Sequence, residues 1–356
     1  MTAAPIRAAL LGYGYAGKTF HAPLIAATPG WELACVASRR PEAVHADLPG
    51  TRVVADPMQA IADGAIDVVV VATPNAQHAP LAEAALRAGR HVVVDKPFTL
   101  DLAQARQLRA IARDAGRLVS VFHNRRWDSD FLGVRALIDS GRLGEVVHFE
   151  SHFDRYRPQV RDRWRERAED GGGIWFDLGP HLVDQALQLF GLPLEVSADI
   201  AALRPGAQAD DWAHVVLRYE RLRVILHASM LVAGGGARFT VHGTAGSAVK
   251  AGLDRQEAQL LAGMRPGAPG WGVDDEPLRL FAGDGAVQDI AAPAGDQRAY
   301  YAGLRDAIRD GTPAPVTDAQ ALAVMAVIEA GLASSRTRRA AALPLDEEER
   351  RAFRRG

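Results

Sequence analysis

The chain has 356 residues, 48% of them hydrophobic and 24% charged, and 41 Lys plus Arg against 43 Asp plus Glu leave a formal charge of −2. This composition excludes disordered, collagen-like and disulfide-framework chains, and the near-neutral balance argues against nucleic acid or an anionic membrane as the main partner. The single cysteine, Cys35, can form neither an internal disulfide nor a cysteine-based zinc site. At about 100–200 residues per domain, the length predicts two domains. No apolar run reaches the ~18 residues of a membrane span, and Ile6-Arg7-Ala8 opens a strand pattern with no separate signal segment before it. A cytoplasmic protein is expected.

Up to about residue 122, short apolar runs alternate with amphipathic stretches rich in Ala and Leu. The runs are Ile6 to Leu11, Leu33 to Ala37, Asp67 to Ala72, His91 to Val94 and Leu118 to Phe122. Helices are expected around Gly17 to Ala27, Ala79 to Ala88 and Leu102 to Ala115. Continuous apolar strands alternating with helices predict an α/β domain, a doubly wound parallel sheet covered on both faces.

The first strand runs into Gly12-Tyr13-Gly14-Tyr15-Ala16-Gly17, a G-x-G-x-x-G between a strand and a helix. The first glycine permits a tight turn, the second lets the backbone approach a pyrophosphate, and the third lets helix and strand pack closely. Helix N–H groups then face the phosphates, so these residues predict dinucleotide binding. The second strand ends in Ser38-Arg39-Arg40, where an NAD-specific chain would carry a carboxylate for the ribose hydroxyls. A hydroxyl followed by two guanidinium groups can take a 2′-phosphate through charge-assisted hydrogen bonds. NADP is favoured, with NAD as the alternative.

Two more strands end in Thr73-Pro74-Asn75, with His78 three residues on, and in Asp95-Lys96-Pro97. Both ends fall at the carboxyl edge of the parallel sheet, where open α/β folds bind ligands, so Thr73, Pro74, Asn75, His78 and Lys96 are expected to join Gly12 to Gly17 and Ser38 to Arg40 in binding the dinucleotide. Lys96, dehydrated on one side by a buried strand, can serve as a proton donor or hydroxyl anchor; the plainer reading is a loop lysine.

Beyond about residue 143 the period changes to two: Val147, Phe149 and Phe153 alternate with His148, Glu150, His152 and Asp154. Further strands are expected at Glu195 to Leu203, Trp212 to Glu220, Leu222 to Val232, Ala237 to His242 and Ala248 to Ala251. These suit an open, largely antiparallel sheet. A helix is expected from Ile174 to Phe190, and another after Thr317 and Gln320, which have capping-box spacing, through Ser334. Ala262 to Val273 reads as a loop, and the charged tail from Arg336 to Gly356 is expected to fray. In Gly171-Gly172-Gly173-Ile174-Trp175-Phe176-Asp177-Leu178-Gly179-Pro180-His181, a helix puts Asp177 and His181 on one face. A carboxylate reaching an imidazole makes a general base near neutral pH; a surface pair is the plainer reading.

Together these segments resemble the glucose–fructose oxidoreductase / inositol dehydrogenase / MocA family from Ile6 to about Ser335. Asn124-Arg125-Arg126-Trp127-Asp128 and His242-Gly243-Thr244-Ala245-Gly246-Ser247 add to the likeness. Gly17-Lys18-Thr19-Phe20-His21-Ala22-Pro23 and Glu150-Ser151-His152-Phe153-Asp154-Arg155-Tyr156-Arg157-Pro158 are similar to the scyllo-inositol dehydrogenase branch. One departure is Asp95, where the family usually has Glu before Lys-Pro. The resemblance implies a Rossmann domain (1–122), a substrate-binding and oligomerisation domain (123–335) and the tail (336–356). It implies that Lys96 is the catalytic lysine, often with a cis peptide to the next residue, and that Asp177 and His181 are an acid/base dyad. Asn124, Arg126, His152, Tyr156 and Trp164 are the substrate-side candidates. His148 and His152 share a strand face, but the family transfers hydride without a metal, so none is expected. The implied activity is reversible oxidation of a secondary alcohol on a cyclic polyol or sugar. The alternatives are an aldose 1-dehydrogenase or keto-sugar reductase and, from another class, a non-catalytic dinucleotide sensor. A homodimer or homotetramer is expected through the open sheet face.

Overall fold

The computed structural model describes residues 4–167 and 171–355. Strands β1 (Ile6–Leu11), β2 (Trp31–Ala37), β3 (Arg52–Val54), β4 (Val68–Val71), β5 (His91–Val94) and β6 (Val119–Val121) form a sheet in the order β3-β2-β1-β4-β5-β6. Every pairing in it is parallel. β4 is four consecutive buried valines, as a strand covered on both faces requires. The chain order reverses between β1 and β4, and the crevice beyond their carboxyl ends is where such folds bind ligands. The expected strands are all present, with ends moved by a residue or two. β3 and the helices Pro41–Asp47 and Pro57–Ala62 are additional.

The second sheet holds β7 (Val146–Asp154), β8 (Glu195–Ala201), β9 (Trp212–Arg218), β10 (Arg223–Ser229), β11 (Phe239–Gly243), β12 (Gly246–Lys250), β13 (Leu278–Ala282) and β14 (Val287–Ile290). Its order is β14-β13-β12-β11-β7-β10-β9-β8. Only the β7–β10 pairing is parallel; the others are antiparallel. Phe149, Phe153, Val224 and Leu226 are buried on one face, the side on which helices Ile174–Phe190 and Asp318–Thr337 pack. His148, Glu150, His152 and His227 alternate with those residues and belong to the opposite, half-exposed face. The capping box forms as expected: Thr317 accepts from the Gln320 N–H, and the Gln320 side chain accepts from the Thr317 N–H.

The charged tail does not fray. Val196 bridges Ala341, Leu343 and Leu345 are buried, and Glu349 takes two hydrogen bonds from Arg106 at 2.7 and 2.9 Å. Apolar residues between the charges, together with this bidentate ion pair, dock helix Glu347–Arg355. Among the described residues, no helix is long and apolar enough to cross a membrane.

Candidate active site

The glycine turn has the shape its three glycines predict. Gly12 turns with φ +97°, and a Cβ on it would lie 2.6 Å from the Ala72 carbonyl oxygen. A Cβ on Gly17 would lie 2.2 Å from the Gly12 carbonyl oxygen, so Gly17 serves packing. A Cβ on Gly14 meets nothing within 4 Å, which leaves the backbone open to a pyrophosphate. Gly17–His21 form a wide π-type turn before helix Ala22–Ala27. Beyond the turn lies a cavity of about 740 Å³ bordered by Gly12 to Ala16, Ser38, Arg39, Arg40, Thr73 and Pro74. The Thr73 hydroxyl is buried without a hydrogen-bond partner among the described residues. A dinucleotide fits this combination of bare backbone, free hydroxyl and paired arginines at the rim.

A second cavity of about 330 Å³ is bordered by Lys96, Asn124, Asp177 and His181. Tyr15, Ala16, Asp95 and Arg165 border both cavities, so the two meet there. Lys96 leaves the end of β5 through a cis peptide to Pro97. Its Nζ donates to the Asp177 carbonyl oxygen at 2.6 Å and to Asp177 Oδ1 at 2.9 Å. Asp177 is carried by helix Ile174–Phe190. At the start of that helix, the Asp210 carboxylate accepts from the Trp175 N–H at 2.7 Å and occupies the space a Cβ on Gly173 would need.

Burial opposes the Asp177 charge, but Lys96, Arg155 and Arg165 outweigh it and hold this carboxyl far below the usual carboxylate range. Burial, followed by Lys96 and Arg125, pushes the His181 imidazole well below its ordinary value, so it is neutral at pH 7. The expected Asp177–His181 hydrogen bond is absent. Asp177 spends its oxygens on Lys96 and on Arg155 at 3.3 Å, and His181 Nδ1 is buried without a partner among the described residues. The i, i+4 spacing set both side chains on one face, but cations arriving from elsewhere captured the carboxylate.

Other expected contacts are also moved. Lys96 borders the second cavity, not the dinucleotide cavity. His78 is fully buried; its ring nitrogens lie 2.7 Å from the Pro97 carbonyl and 3.0 Å from the Thr73 carbonyl, so it ties two loops together and borders neither cavity. Asn75 is buried outside the dinucleotide cavity and donates to the Gly171 carbonyl. Arg126 is buried on Asp184 at 2.6 and 2.9 Å and on Gln320, which makes it a strut between helices. His152 is on the open sheet face, where its Nε2 lies 2.9 Å from Glu150, and it borders neither cavity. His148 turns to the same carboxylate at 2.8 Å. Tyr156 is 60% exposed, bridged to Leu231, and borders neither cavity. Trp164 borders the dinucleotide cavity, with the Arg165 guanidinium 4.5 Å over its ring. Asn124 stays where expected, buried at the second cavity.

Residues 6–123 match the model of the oxidoreductase family's NAD-binding Rossmann fold, and residues 135–343 match that of its C-terminal alpha/beta domain. The chain belongs to the Gfo/Idh/MocA oxidoreductase family. It is 54% identical to the uncharacterized oxidoreductase YdgJ of Escherichia coli over 94% of this chain and 97% of that one. It is 36% identical to the scyllo-inositol 2-dehydrogenase (NADP(+)) IolW of Bacillus subtilis over 94% of this chain and 95% of that one. A crystal structure of an oxidoreductase from Klebsiella pneumoniae superposes with TM-score 0.93 at 56% identity, covering 99% of this chain and 98% of that one.

What sequence reasoning missed is the basic wall of the second cavity. Arg125, Arg155, Arg157, Arg161, Arg163 and Arg165 all border it. The signal was present: six arginines fall within residues 155–167. Glu257 was missed as well. It accepts from Tyr15 at 2.7 Å and from Arg125 at 2.7 Å, linking the glycine turn to the second domain from a helix far along the chain.

Proposed function

We propose that the chain is an NADP(H)-preferring dehydrogenase that interconverts a secondary alcohol of a cyclic polyol or sugar with its ketone. The observation that carries this reading is the meeting of the two cavities, with the glycine turn on one side and Lys96, Asp177 and His181 on the other. Backbone at Gly14 to Ala16 would hold the dinucleotide's pyrophosphate, and Ser38 to Arg40 its adenosine ribose. When bound, the nicotinamide supplies the hydride acceptor or donor.

The proton side belongs to the chain. Lys96 Nζ donates to the reacting oxygen and favours alkoxide character there. Asp177 holds that ammonium in place. With Nδ1 sealed, Nε2 is the His181 atom left to exchange a proton at the cavity, and a neutral imidazole can accept one from the hydroxyl. The NADP(+) in the name of IolW agrees with the two rim arginines. A dinucleotide sensor would have no need of Lys96, Asp177 and His181 together. The test is nicotinamide absorbance with inositols, aldoses and their keto forms, using both cofactors. Turnover of a secondary alcohol or its ketone is expected, and cofactor binding without turnover across the panel would favour a sensor.

A further inference from the structure

The second cavity carries more positive charge than a neutral polyol would need. Seven basic side chains border it against three acidic ones. Asp177 already serves three of the cations: Lys96 at 2.9 Å, Arg155 at 3.3 Å and Arg165 at 3.6 Å. Arg163 reaches Glu166 at 3.1 Å, and Arg125 reaches Asp128 at 2.9 Å and Glu257 at 2.7 Å. Half-buried Arg157 and exposed Arg161 have no carboxylate partner among the described residues, and neither borders the dinucleotide cavity, although Arg161 also borders a separate surface cavity. Burial first, and then the neighbouring Arg155, Arg161 and Arg163, draw the Arg157 guanidinium below its ordinary value, with Asp177 opposing them.

The segment bearing these groups is braced. Buried Arg204 donates to the carbonyls of Arg157 at 3.0 Å and Gln159 at 3.3 Å, and to Glu166 at 2.5 Å, while Asp211 anchors it at 2.8 Å. The brace fixes the backbone at Arg157 and Gln159, so the half-buried Arg157 side chain is held at the cavity while Arg161 stands exposed at its mouth. Hydroxyl groups offer dipoles to such a wall. A carboxylate or phosphate offers charge and two or more acceptor oxygens in the geometry a guanidinium matches.

Given the oxidoreductase reading above, we infer that the substrate carries an anionic group, a carboxylate or a phosphate monoester, that docks on Arg157 and Arg161 while its secondary alcohol faces Lys96 and His181. The chemistry at the carbinol is unchanged: hydride leaves the carbon, the hydroxyl loses its proton, and the anionic group stays intact.

The experiment compares matched pairs with the cofactor-loaded protein: an inositol against its monophosphate, and an aldose against its uronate. Oxidation and ketone reduction are both followed. The expected result is at least a hundredfold higher kcat/KM for one charged member, and the phosphate and uronate arms identify which anion. Raising the salt should narrow that preference. In Arg157→Gln and Arg161→Gln, the ratio of charged to neutral kcat/KM should fall tenfold or more. If neutral members turn over as well as charged ones, the anion inference is overturned and the oxidoreductase reading stands. If the charged compounds bind the loaded protein but nothing in the panel turns over, the anion site stands and the hydride-transfer reading fails. Competition of the charged compounds with the dinucleotide would also overturn the inference, because the arginines would then serve the cofactor.

Discussion

Replacing Asp177 by Asn tests which partner this carboxylate serves. Asparagine keeps an oxygen where Lys96 Nζ now donates at 2.9 Å, so the geometry survives and only the charge is lost. Hydrogen bonds to charged groups contribute about 1.5–3 kcal/mol and neutral ones about 0.5–1.5, so the Lys96 contact should weaken by about 1–1.5 kcal/mol. A comparable loss at Arg155 brings the total to about 2–3 kcal/mol, trimmed slightly because the Asp177 side chain is 17% exposed. A less firmly held Lys96 should cost about tenfold to a hundredfold in kcat, equivalent to about 1.4–2.7 kcal/mol. Lys96→Ala and His181→Ala, which remove proton-handling groups outright, should each cost about 10²–10⁴-fold with cofactor affinity little changed. Double-mutant cycles on initial rates, with thermal unfolding as a control for folding, decide the question. Asp177 and Lys96 should couple by about 1–2 kcal/mol, and Asp177 and His181 by less than about 0.5. Strong coupling to His181 with additivity to Lys96 would refute the reasoning and restore the dyad.

Arg39→Asp should reverse an NADP preference of about ten- to a hundredfold in kcat/KM, whereas Arg40→Ala should change it less; equal use of NAD and NADP, unaltered by Arg39→Asp, would mean these arginines point into solvent. Gly14→Ala should leave the melting temperature unchanged and weaken NADP binding measured by titration calorimetry. Gly17→Ala, whose methyl would meet the Gly12 carbonyl, should lose about 1–3 kcal/mol of stability in urea. Burial holds His123 at about 4, against about 6.5 in the unfolded chain. Between those values the unfolded state binds the proton and the folded state does not, so stability rises with pH across that window. Acidifying from pH 7 to 4.5 should therefore remove about 2–3 kcal/mol from wild type relative to His123→Gln, which cannot titrate; parallel pH profiles would contradict this. The open face of the second sheet, with Trp212, Val216 and Ile225 half-buried among its histidines, is expected to pair copies of the chain as a homodimer or homotetramer. Sedimentation returning a 38.2 kDa particle at micromolar concentration would remove that expectation.

Elements that bury themselves on two sides announce themselves locally, and this is why the first sheet was legible. Val68–Val71 and Ile6–Leu11 have no polar face to disguise them. β3 is three residues at a sheet edge, half-exposed and paired only with β2, too short to show a period. Helix Pro57–Ala62 carried a start signal, Asp56 accepting from the Met58 N–H with proline at the first position, but it lacks the length for an apolar stripe. The tail was misjudged because its charge was weighed without Leu343 and Leu345, which bury themselves between the charges.

The site divides along a similar line. A glycine turn is readable because its geometry depends on neighbouring residues, but a side chain's partner is often far along the chain. Asp177 is claimed by Lys96 from 81 residues away, and Arg126 is claimed by Asp184 from 58 away. Spacing within one helix cannot reveal either. The basic wall is a different failure, because its signal was local. Along an extended segment alternate side chains share a side, so Tyr156 opposes Arg155 and Arg157. Selecting the aromatic Tyr156 as a substrate contact selected the side that faces solvent, at 60% exposure, and passed over the two arginines that flank it. Arg163 and Arg165, on either side of Trp164, border the second cavity, whereas Trp164 borders the dinucleotide cavity instead. A guanidinium keeps its charge at any pH the protein meets and must find either water or an anion. Five of the six arginines within residues 155–167 border the second cavity, and buried Arg204 holds the backbone at Arg157 and Gln159, so the arginines identify the cavity wall more surely than the aromatic residues between them.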